Sequence, residues 1–277
     1  MTTDPAGTAV PAGSAALAAG VGTAGSPGDG AAAPALRRVL AQAAFETRMI
    51  LRNGEQLLVT VIVPVLVLVG LTRGTFVELP TQGAARIDFV TPGVLALAVM
   101  TTSFTSQAIA TAFDRRNGVL RLLATTPLGR GGLLAGKVLG VLTVELVQVL
   151  VIGTVAVLLG WRPNPAGIGL ALVAILLGTA AFTSLALLTA GTLRAEAVLA
   201  VANLALLVLA LAGGVLIPAE ELPGPFAHVA LLLPSGALGE AMRETLMHGT
   251  LPPWSVVVLL LWAGALGWGA SRLFRWH

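Results

Sequence analysis

Long apolar stretches without charged side chains constrain the fold of this chain more than any other feature. Residues 163–193, for example, form a run of 31 residues without Asp, Glu, Lys or Arg. A helix needs about 20 apolar residues to cross the hydrocarbon core of a membrane. Only 10% of the 277 side chains are charged, against about 25% in soluble domains. The sequence therefore predicts an all-α polytopic membrane protein, because a helix satisfies its own backbone hydrogen bonds within lipid.

Six stretches are predicted to span the membrane, with limits set by the nearest charged residues. The first lies between Glu55 and Arg73 and has Pro64 at its middle. The other five are 89–113, 138–159, 167–193, 197–217 and 253–271. Only Arg194-Ala195-Glu196 separates the fourth span from the fifth. These two spans are therefore predicted to form a tight helical hairpin.

Three segments outside the spans have their own character within a predicted tail (1–33) and transmembrane domain (34–277). Residues 1–33 are mostly small and polar, which predicts a disordered cytoplasmic tail. Residues 34–56 carry an apolar stripe flanked by arginines, which favours an interfacial helix in the headgroup plane over an ordinary solvated helix. Residues 218–252 hold an apolar run too short to span, broken by Pro234, followed by an amphipathic helix predicted over 237–247. This pattern predicts an outer re-entrant region.

The distribution of basic residues predicts the orientation of the chain. With the N-terminus inside, twelve basic residues lie on the inner side and four on the outer side. The inner set is Arg37, Arg38, Arg48, Arg52, Arg115, Arg116, Arg121, Arg130, Lys137, Arg194, Arg272 and Arg275, and the outer set is Arg73, Arg86, Arg162 and Arg243. Because cytoplasmic loops are enriched in Lys and Arg, both termini are predicted to be cytoplasmic.

The charged island 113–137 interrupts the apolar sequence and is predicted to face the cytoplasm. A short helix is predicted over 114–126, ended by Pro127. Its apolar residues Val119, Leu120, Leu122 and Leu123 are suited to a partner's groove. Charges such as Asp114, Arg115, Arg116 and Arg121 would orient that contact. The alternative is an ordinary basic loop whose leucines pack against their own bundle.

The end of the island imitates a nucleotide-binding motif. Residues 131–137 have the GxxxxGK spacing of a P-loop, but Val138 stands where the magnesium-binding Ser or Thr is required. We therefore predict no nucleotide, metal or other cofactor on this chain. Gly131, Gly132 and Gly136 are predicted to let the third span pack closely, and Lys137 to reach the headgroups. The net charge of +3 lies beside the spans and gives no reason to expect nucleic acid binding.

Polar residues inside the spans are the candidates for a substrate path or for gating. Glu145 is the one ionisable residue well inside a predicted span, and Gln148 lies on the same helical face. Thr102 and Ser106 belong to a polar cluster at 101–107. The alternative for all four is a structural role, because such side chains often hold helices together. No catalytic constellation accompanies them, so the chain is not predicted to be an enzyme.

These motifs resemble those of the membrane subunit of type-2 ABC exporters, in particular the drug-efflux permease branch. The first matching patch is DRRNG at 114–118, LLATTPL at 122–128 and Gly136-Lys137. The second comprises Gly213-Gly214, Pro218, Leu222-Pro223, Pro234 and Glu240 to Arg243. The resemblance covers residues 34–275 with the same order of six spans. Two departures are Arg116 and Arg121, where acidic residues are usual, and Leu233 and Ser235, where the surroundings of Pro234 are usually more polar.

The resemblance implies roles for particular residues. The coupling element that docks a separate ATPase would be 113–127, and the connecting helix and outer re-entrant helices would be 34–52 and 218–247. The coupling residues would be Asp114, Arg115, Arg116, Gly118, Leu120, Leu123 and Pro127, and the outer-gate residues Pro234, Glu240 and Arg243.

The resemblance also implies an assembly and a function. Two copies of the ATPase would carry ATP and magnesium, and a second permease subunit, identical or different, would complete a dimer in the bacterial plasma membrane. The expected substrate is an amphipathic small molecule, such as a drug or antibiotic. A lipid-linked glycan or lipid is the alternative substrate. An ATPase-independent secondary transporter or channel is the alternative class.

Overall fold

The computed structural model describes residues 33–74, 83–219, 222 and 224–274, and every regular element within these ranges is helical. Helices α1 (Ala35–Arg52) and α2 (Leu58–Arg73) come first, joined by the turn Gly54–Leu57. The following helices are α3 (Arg86–Arg116), α4 (Val119–Ala124), α5 (Gly129–Leu158), α6 (Ile168–Thr192), α7 (Ala195–Ala212), α8 (Phe226–Leu232), α9 (Pro234–Arg243) and α10 (Pro253–Leu273). The predicted tail 1–33 lies outside the described residues, apart from Ala33.

Five helices are long and apolar enough to cross a membrane, and they correspond to the second to sixth predicted spans. They are Arg86–Arg116, Gly131–Leu158, Pro165–Thr192, Ala195–Ala212 and Pro253–Leu273. The chain is therefore a helical, multi-pass membrane protein. Helix α2 is apolar but shorter than these five. A sixth crossing by α2 stays a prediction.

Helix α3 forms the centre of the bundle. Its apolar window is 94% buried, whereas that of α10 is 17% buried. Helices α2, α5, α6, α7 and α9 all pack against it. Near its middle, Thr101–Ser106 widens into a π-helical segment, and a second π segment, Leu58–Ile62, opens α2. Each π segment inserts an extra residue into the helical turn, a feature often found at functional sites.

A glycine stripe on α5 lets helix α1 approach it closely. A Cβ atom on Gly136 would lie 2.5 Å from Cγ of Gln42, and one on Gly140 would lie 2.8 Å from Cβ of Glu46. Gly132 occupies the same face of α5, against Leu128 and Val39. The prediction of close packing is thus confirmed for Gly132 and Gly136, but Gly131 has open space around it. Without side chains in the stripe, the polar residues of α1 reach α5 directly.

Two details of the predicted spans are wrong. Helices α6 and α7 are joined by a short connection, but α7 packs more extensively against α3 than against α6, so the pair is no tight hairpin. Helix α7 also ends at Ala212, and residues 213–217 follow it as irregular chain instead of completing the predicted span. That irregular chain passes so close to α3 that a Cβ on Gly93 would lie 2.8 Å from the Val215 carbonyl oxygen.

The region 218–252 contains the short helices α8 and α9, and α9 continues into a π segment over Glu244–His248. The end of this helical stretch agrees with the predicted end at Met247, but its start does not agree with the prediction. Pro234 begins helix α9, where the prediction placed the start at Ala237. A proline suits the first turn of a helix, since its missing N–H would have no partner there. Most side chains of α9 are buried, and the helix packs against α3, α6 and α10. A helix that is too short to span therefore lies within the bundle.

Replacing Gly136 by Leu is expected to push α1 away from α5. The new side chain would overlap Gln42, whose amide is held by a 2.8 Å hydrogen bond to Glu46. Overpacking of this kind costs about 1–3 kcal/mol, measurable as a lower unfolding temperature of the purified protein in detergent. Gly131→Leu is the matched control, because a Cβ atom on Gly131 would have no neighbour within 4 Å. Equal effects of the two variants would contradict the packing described.

Candidate functional site

An ion cluster joins three helices at the end of the bundle where α4 lies, here called the α4 end. The Lys137 ammonium lies 2.9 Å from Oε1 of Glu46 and 2.9 Å from Oδ2 of Asp114. The Gln42 amide donates to the same Glu46 oxygen at 2.8 Å. The lysine side chain is only 3% exposed. Because these residues come from α1, α3 and α5, the cluster fixes the positions of all three helices.

Two predictions about these charges are therefore corrected. Lys137 does not extend to the headgroups, since two carboxylates compensate for the loss of water around its ammonium group. Asp114 points inward to Lys137 and is partly buried, so it is committed to the bundle and not to the rim of an exposed surface. Both residues hold the coupling segment to the transmembrane helices.

The coupling segment itself consists of two helices and not one. The prediction of a single helix over 114–126 is wrong, because α3 ends at Arg116 and α4 begins at Val119. Gly118 lies between them with a φ of 75°, in the left-handed region that glycine enters without strain. The Gly118 N–H closes the end of α3 by donating to the Arg115 carbonyl. This break allows α4 to take its own direction.

The apolar residues of α4 divide between the bundle and its surface. Leu120 is 2% exposed and packs inside the protein, whereas Leu122 is 69% exposed. Leu123 is half-buried, and Val119 and Pro127 are exposed. Leu120 therefore packs against its own bundle, as in the alternative to a docking surface. The exposed apolar set at this end is Val119, Leu122 and Pro127.

Arginines surround this exposed set. Arg115 donates to the Leu193 carbonyl, Arg116 pairs with Glu196 at the surface, and Arg121 is exposed. Arg38 of α1 donates to the Pro127 carbonyl and holds the end of the coupling segment against α1. The α4 end thus presents apolar side chains within a mainly basic surface, with Arg194 also lining it.

A second polar cluster, the intramembrane layer, lies further along α5. Gln148 accepts a hydrogen bond from Thr102 of α3 at 2.9 Å and donates to the Thr60 carbonyl of α2. Thr60 belongs to the π segment of α2 and Thr102 to that of α3. Ser106, predicted with this group, is half-buried and lies outside these hydrogen bonds. Gln148 has therefore found partners for both its oxygen and its nitrogen.

Glu145 of the same layer is much less well satisfied. Its Oε2 accepts from the Thr179 hydroxyl of α6 at 2.6 Å, and its Oε1 has no hydrogen-bond partner among the described residues. The residue is 1% exposed. Sequence reasoning identified Glu145 but missed Thr179 and Thr60, because nothing in a pattern along one helix indicates which residue of another helix will face it.

The predicted outer-gate residues hold the irregular chain after α7 against helix α9. The Arg243 guanidinium donates to the carbonyls of Val215 and Gly214, both at 2.8 Å. Glu240 accepts a hydrogen bond from Ser255 of α10 at 3.0 Å. Pro234 begins the same helix and is buried. The three residues lie on one helix that is mostly buried. Arg243 and Glu240 form hydrogen bonds to other segments, whereas Pro234 starts the helix.

A bundle of long apolar helices with a sparse polar layer inside defines a helical membrane protein. Comparison with known sequences identifies the family. Residues 38–247 match the family described as ABC-2 type transporter, and the chain belongs to that family. It is also 24% identical over 225 residues to "Putative transport permease YvfS" of Bacillus subtilis (strain 168), covering 79% of this chain and 89% of that protein. Members of this family normally work with an ATPase partner, and membership indicates a transport subunit.

Removing the lysine of the ion cluster is expected to destabilise the protein strongly. Lys137→Met leaves the buried Glu46 without its cation, which costs about 3–5 kcal/mol. The triple variant with Glu46→Gln and Asp114→Asn should recover most of this loss, since no buried charge remains. Arg116→Met removes an exposed ion pair with Glu196 and a contact with the Phe113 ring, and it should cost about 1 kcal/mol. Denaturant unfolding in micelles measures these differences, and similar losses for Lys137→Met and Arg116→Met would refute the role of the cluster.

Proposed function

We propose that this chain is the permease subunit of an ATP-driven ABC exporter of the drug-efflux type, which moves an amphipathic small molecule out of the cell. The observation that carries the proposal is the ion cluster at Lys137. It connects the coupling segment to α1 and α5 by contacts buried within the protein. A force applied at the α4 end would therefore reach the membrane-spanning helices directly.

The proposed assembly contains two copies of a separate ATPase and a second permease subunit, identical or different. ATP and magnesium would be bound by the ATPase, and this chain would carry no cofactor. The α4 end and both termini would face the cytoplasm, with the protein in the plasma membrane. Residues 34–56 would lie along the inner headgroups, and 218–252 would form the outer re-entrant region. Residues 1–33 would be a cytoplasmic tail.

The docking surface for the ATPase would be the exposed apolar set of Val119, Leu122 and Pro127 within its basic surroundings. Leu120 would act differently, because it is buried and faces the bundle. Docking would press on α4 from outside, and Leu120 would pass the displacement to the helices beneath it. The ATPase face that meets this surface would carry acidic or neutral side chains, since Arg116 and Arg121 are exposed there.

ATP binding would close the ATPase pair and shift the permease between inward-open and outward-open arrangements. The movement would start at the coupling segment and proceed along α5, which carries both Lys137 and the intramembrane layer. Two helical turns, about 12 Å, separate Lys137 from Glu145. One rigid helix would thus connect the site of docking to the polar residues of the transport path.

The docking role is tested with a variant that changes only exposed residues. Arg121→Glu combined with Leu122→Asp should abolish co-purification of the ATPase subunit when both proteins are produced together. Membrane insertion and the unfolding temperature should stay unchanged, because both side chains are exposed. The exposed Arg162, predicted to lie on the outer side, provides the control Arg162→Glu.

Two results would count against the proposal. Full co-purification of the ATPase with the double variant would exclude the docking surface. Transport by the chain in vesicles that contain no ATPase would exclude the exporter class and favour a secondary transporter or channel.

A further inference from the structure

A cavity separates α5 and α6 at the end of the bundle opposite α4. Its volume is about 410 Å³, and most of the side chains around it are apolar. Val149 and Gly153 line it from α5, Ala171 and Ile175 line it from α6, and Trp161 lies in the connection between the two helices. The exposed lining residues Leu150 and Leu172 place its mouth on the apolar outer surface of the bundle. A molecule dissolved in the bilayer would therefore meet this cavity directly.

Glu145 and Thr179 lie one helical turn beyond the inner end of the cavity. Val149 follows Glu145 by four residues on α5, and Ile175 precedes Thr179 by four residues on α6. Residues four apart share a helix face and are about 6 Å apart along the axis. The 2.6 Å bond between Glu145 and Thr179 thus joins the two helices just below the space that they enclose.

The Glu145 carboxyl lacks the donors that a buried carboxyl requires. A carboxylate has about four acceptor sites, and the one neighbouring donor is the Thr179 hydroxyl among the described residues. That single hydroxyl proton has a second acceptor, the Ile175 carbonyl oxygen at 2.8 Å. Oε1 of Glu145 has no partner in the described part of the chain. Thr179 could therefore release Glu145 without losing its own hydrogen bond.

The chain does not supply a cation to Glu145 from the nearest basic side chain. Lys137, two turns away on the same helix, is occupied by Glu46 and Asp114. The neighbouring Gln148 directs its amide nitrogen to the Thr60 carbonyl and its oxygen to Thr102, and it carries no charge. An ionisable group within a membrane span is a functional candidate, because its charged form is costly there without a partner of opposite charge.

We infer that Glu145 and the cavity together form a binding site for a lipophilic cation. The apolar body of the ligand occupies the cavity between α5 and α6, and its positive charge lies toward the Glu145 carboxylate. This inference rests on the proposed function, because it specifies the substrate class as amphipathic molecules that carry a positive charge. Within the intramembrane layer, Gln148 and Thr102 are then structural, and Glu145 recognises the ligand.

The charge requirement is tested by equilibrium binding of tetraphenylphosphonium to the purified full-length chain in detergent. Glu145→Gln keeps an acceptor for Thr179 and nearly the same volume but removes the charge. It should weaken tetraphenylphosphonium binding about tenfold or more, as expected for loss of an attractive charge at short range in a poorly polar environment. Binding of the neutral triphenylphosphine oxide should change less than about twofold. Glu244→Gln, at a partly exposed carboxylate beside His248, is the matched control and should change neither affinity.

The cavity requirement is tested by filling the space. A Cβ on Gly153 would have Trp161 as its one neighbour, at 3.9 Å, so Gly153→Leu should fold and occupy the cavity. It should weaken binding of both the cationic and the neutral compound. Gly169→Leu is the matched control, because Gly169 has open space around it and lies outside the lining residues. A monodisperse elution profile confirms that each variant is folded.

The outcomes separate this inference from the proposed function. Failure of the wild-type chain to bind tetraphenylphosphonium, or unchanged binding after Glu145→Gln, would overturn the cation site and leave a structural role for Glu145. Neither result depends on an ATPase, because the assay contains only this chain. Transport by the chain in vesicles that contain no ATPase would overturn the exporter class instead, whatever the binding data show.

Discussion

The structure depends on one buried lysine placed between two carboxylates. Burying an ammonium group costs several kcal/mol unless good partners surround it, and Lys137 has Glu46 on one side and Asp114 on the other. These partners come from two other helices, α1 and α3, which both pack against α5. Their ion pairs with Lys137 help to fix where α1 and the end of α3 lie relative to α5. The glycines of α5 make the arrangement sterically feasible, since larger side chains would keep Glu46 away from Lys137.

The sequence predicts the membrane-spanning parts of the fold well, because their signal is local. A charge-free apolar run long enough to cross lipid has few alternatives to a buried helix, and five of the six predicted spans correspond to long helices. Close packing at Gly132 and Gly136 was also predictable, because small residues repeated every four positions lie on one helix face. The break at Gly118 could also have been predicted, since Asn-Gly is a common turn signal.

Interactions between helices could not be predicted in the same way. Leu120 and Leu122 are chemically equivalent in the sequence, yet their burial is opposite, because the turn at Gly118 sets the rotation of α4. The partners of Lys137 lie on two other helices, and the sequence offered the headgroups as an equally reasonable destination. For Glu145 and Gln148, spacing along α5 predicted a shared face. Only the packing of α2, α3 and α6 against α5 determines which of the two side chains finds hydrogen-bond partners. Sequence patterns thus identified the polar residues of the candidate site, and tertiary contacts divided their roles.

The two polar clusters on α5 differ in a way that fits the transmission of movement. The ion cluster pairs Lys137 with the carboxylates of Glu46 and Asp114, and pulling these helices apart would leave buried charges unpaired. Helices α1, α3 and α5 should therefore move together at the α4 end. In the intramembrane layer, hydrogen bonds without an ion pair join the described residues, and two of its members lie in π segments, where the helical ladder is already irregular. Helices often bend at such segments, which are frequent at functional sites. A displacement carried along α5 would therefore change the contacts of Glu145 first. Its Oε1 has no hydrogen-bond partner among the described residues, and the Thr179 hydroxyl can donate to the Ile175 carbonyl instead of to Glu145.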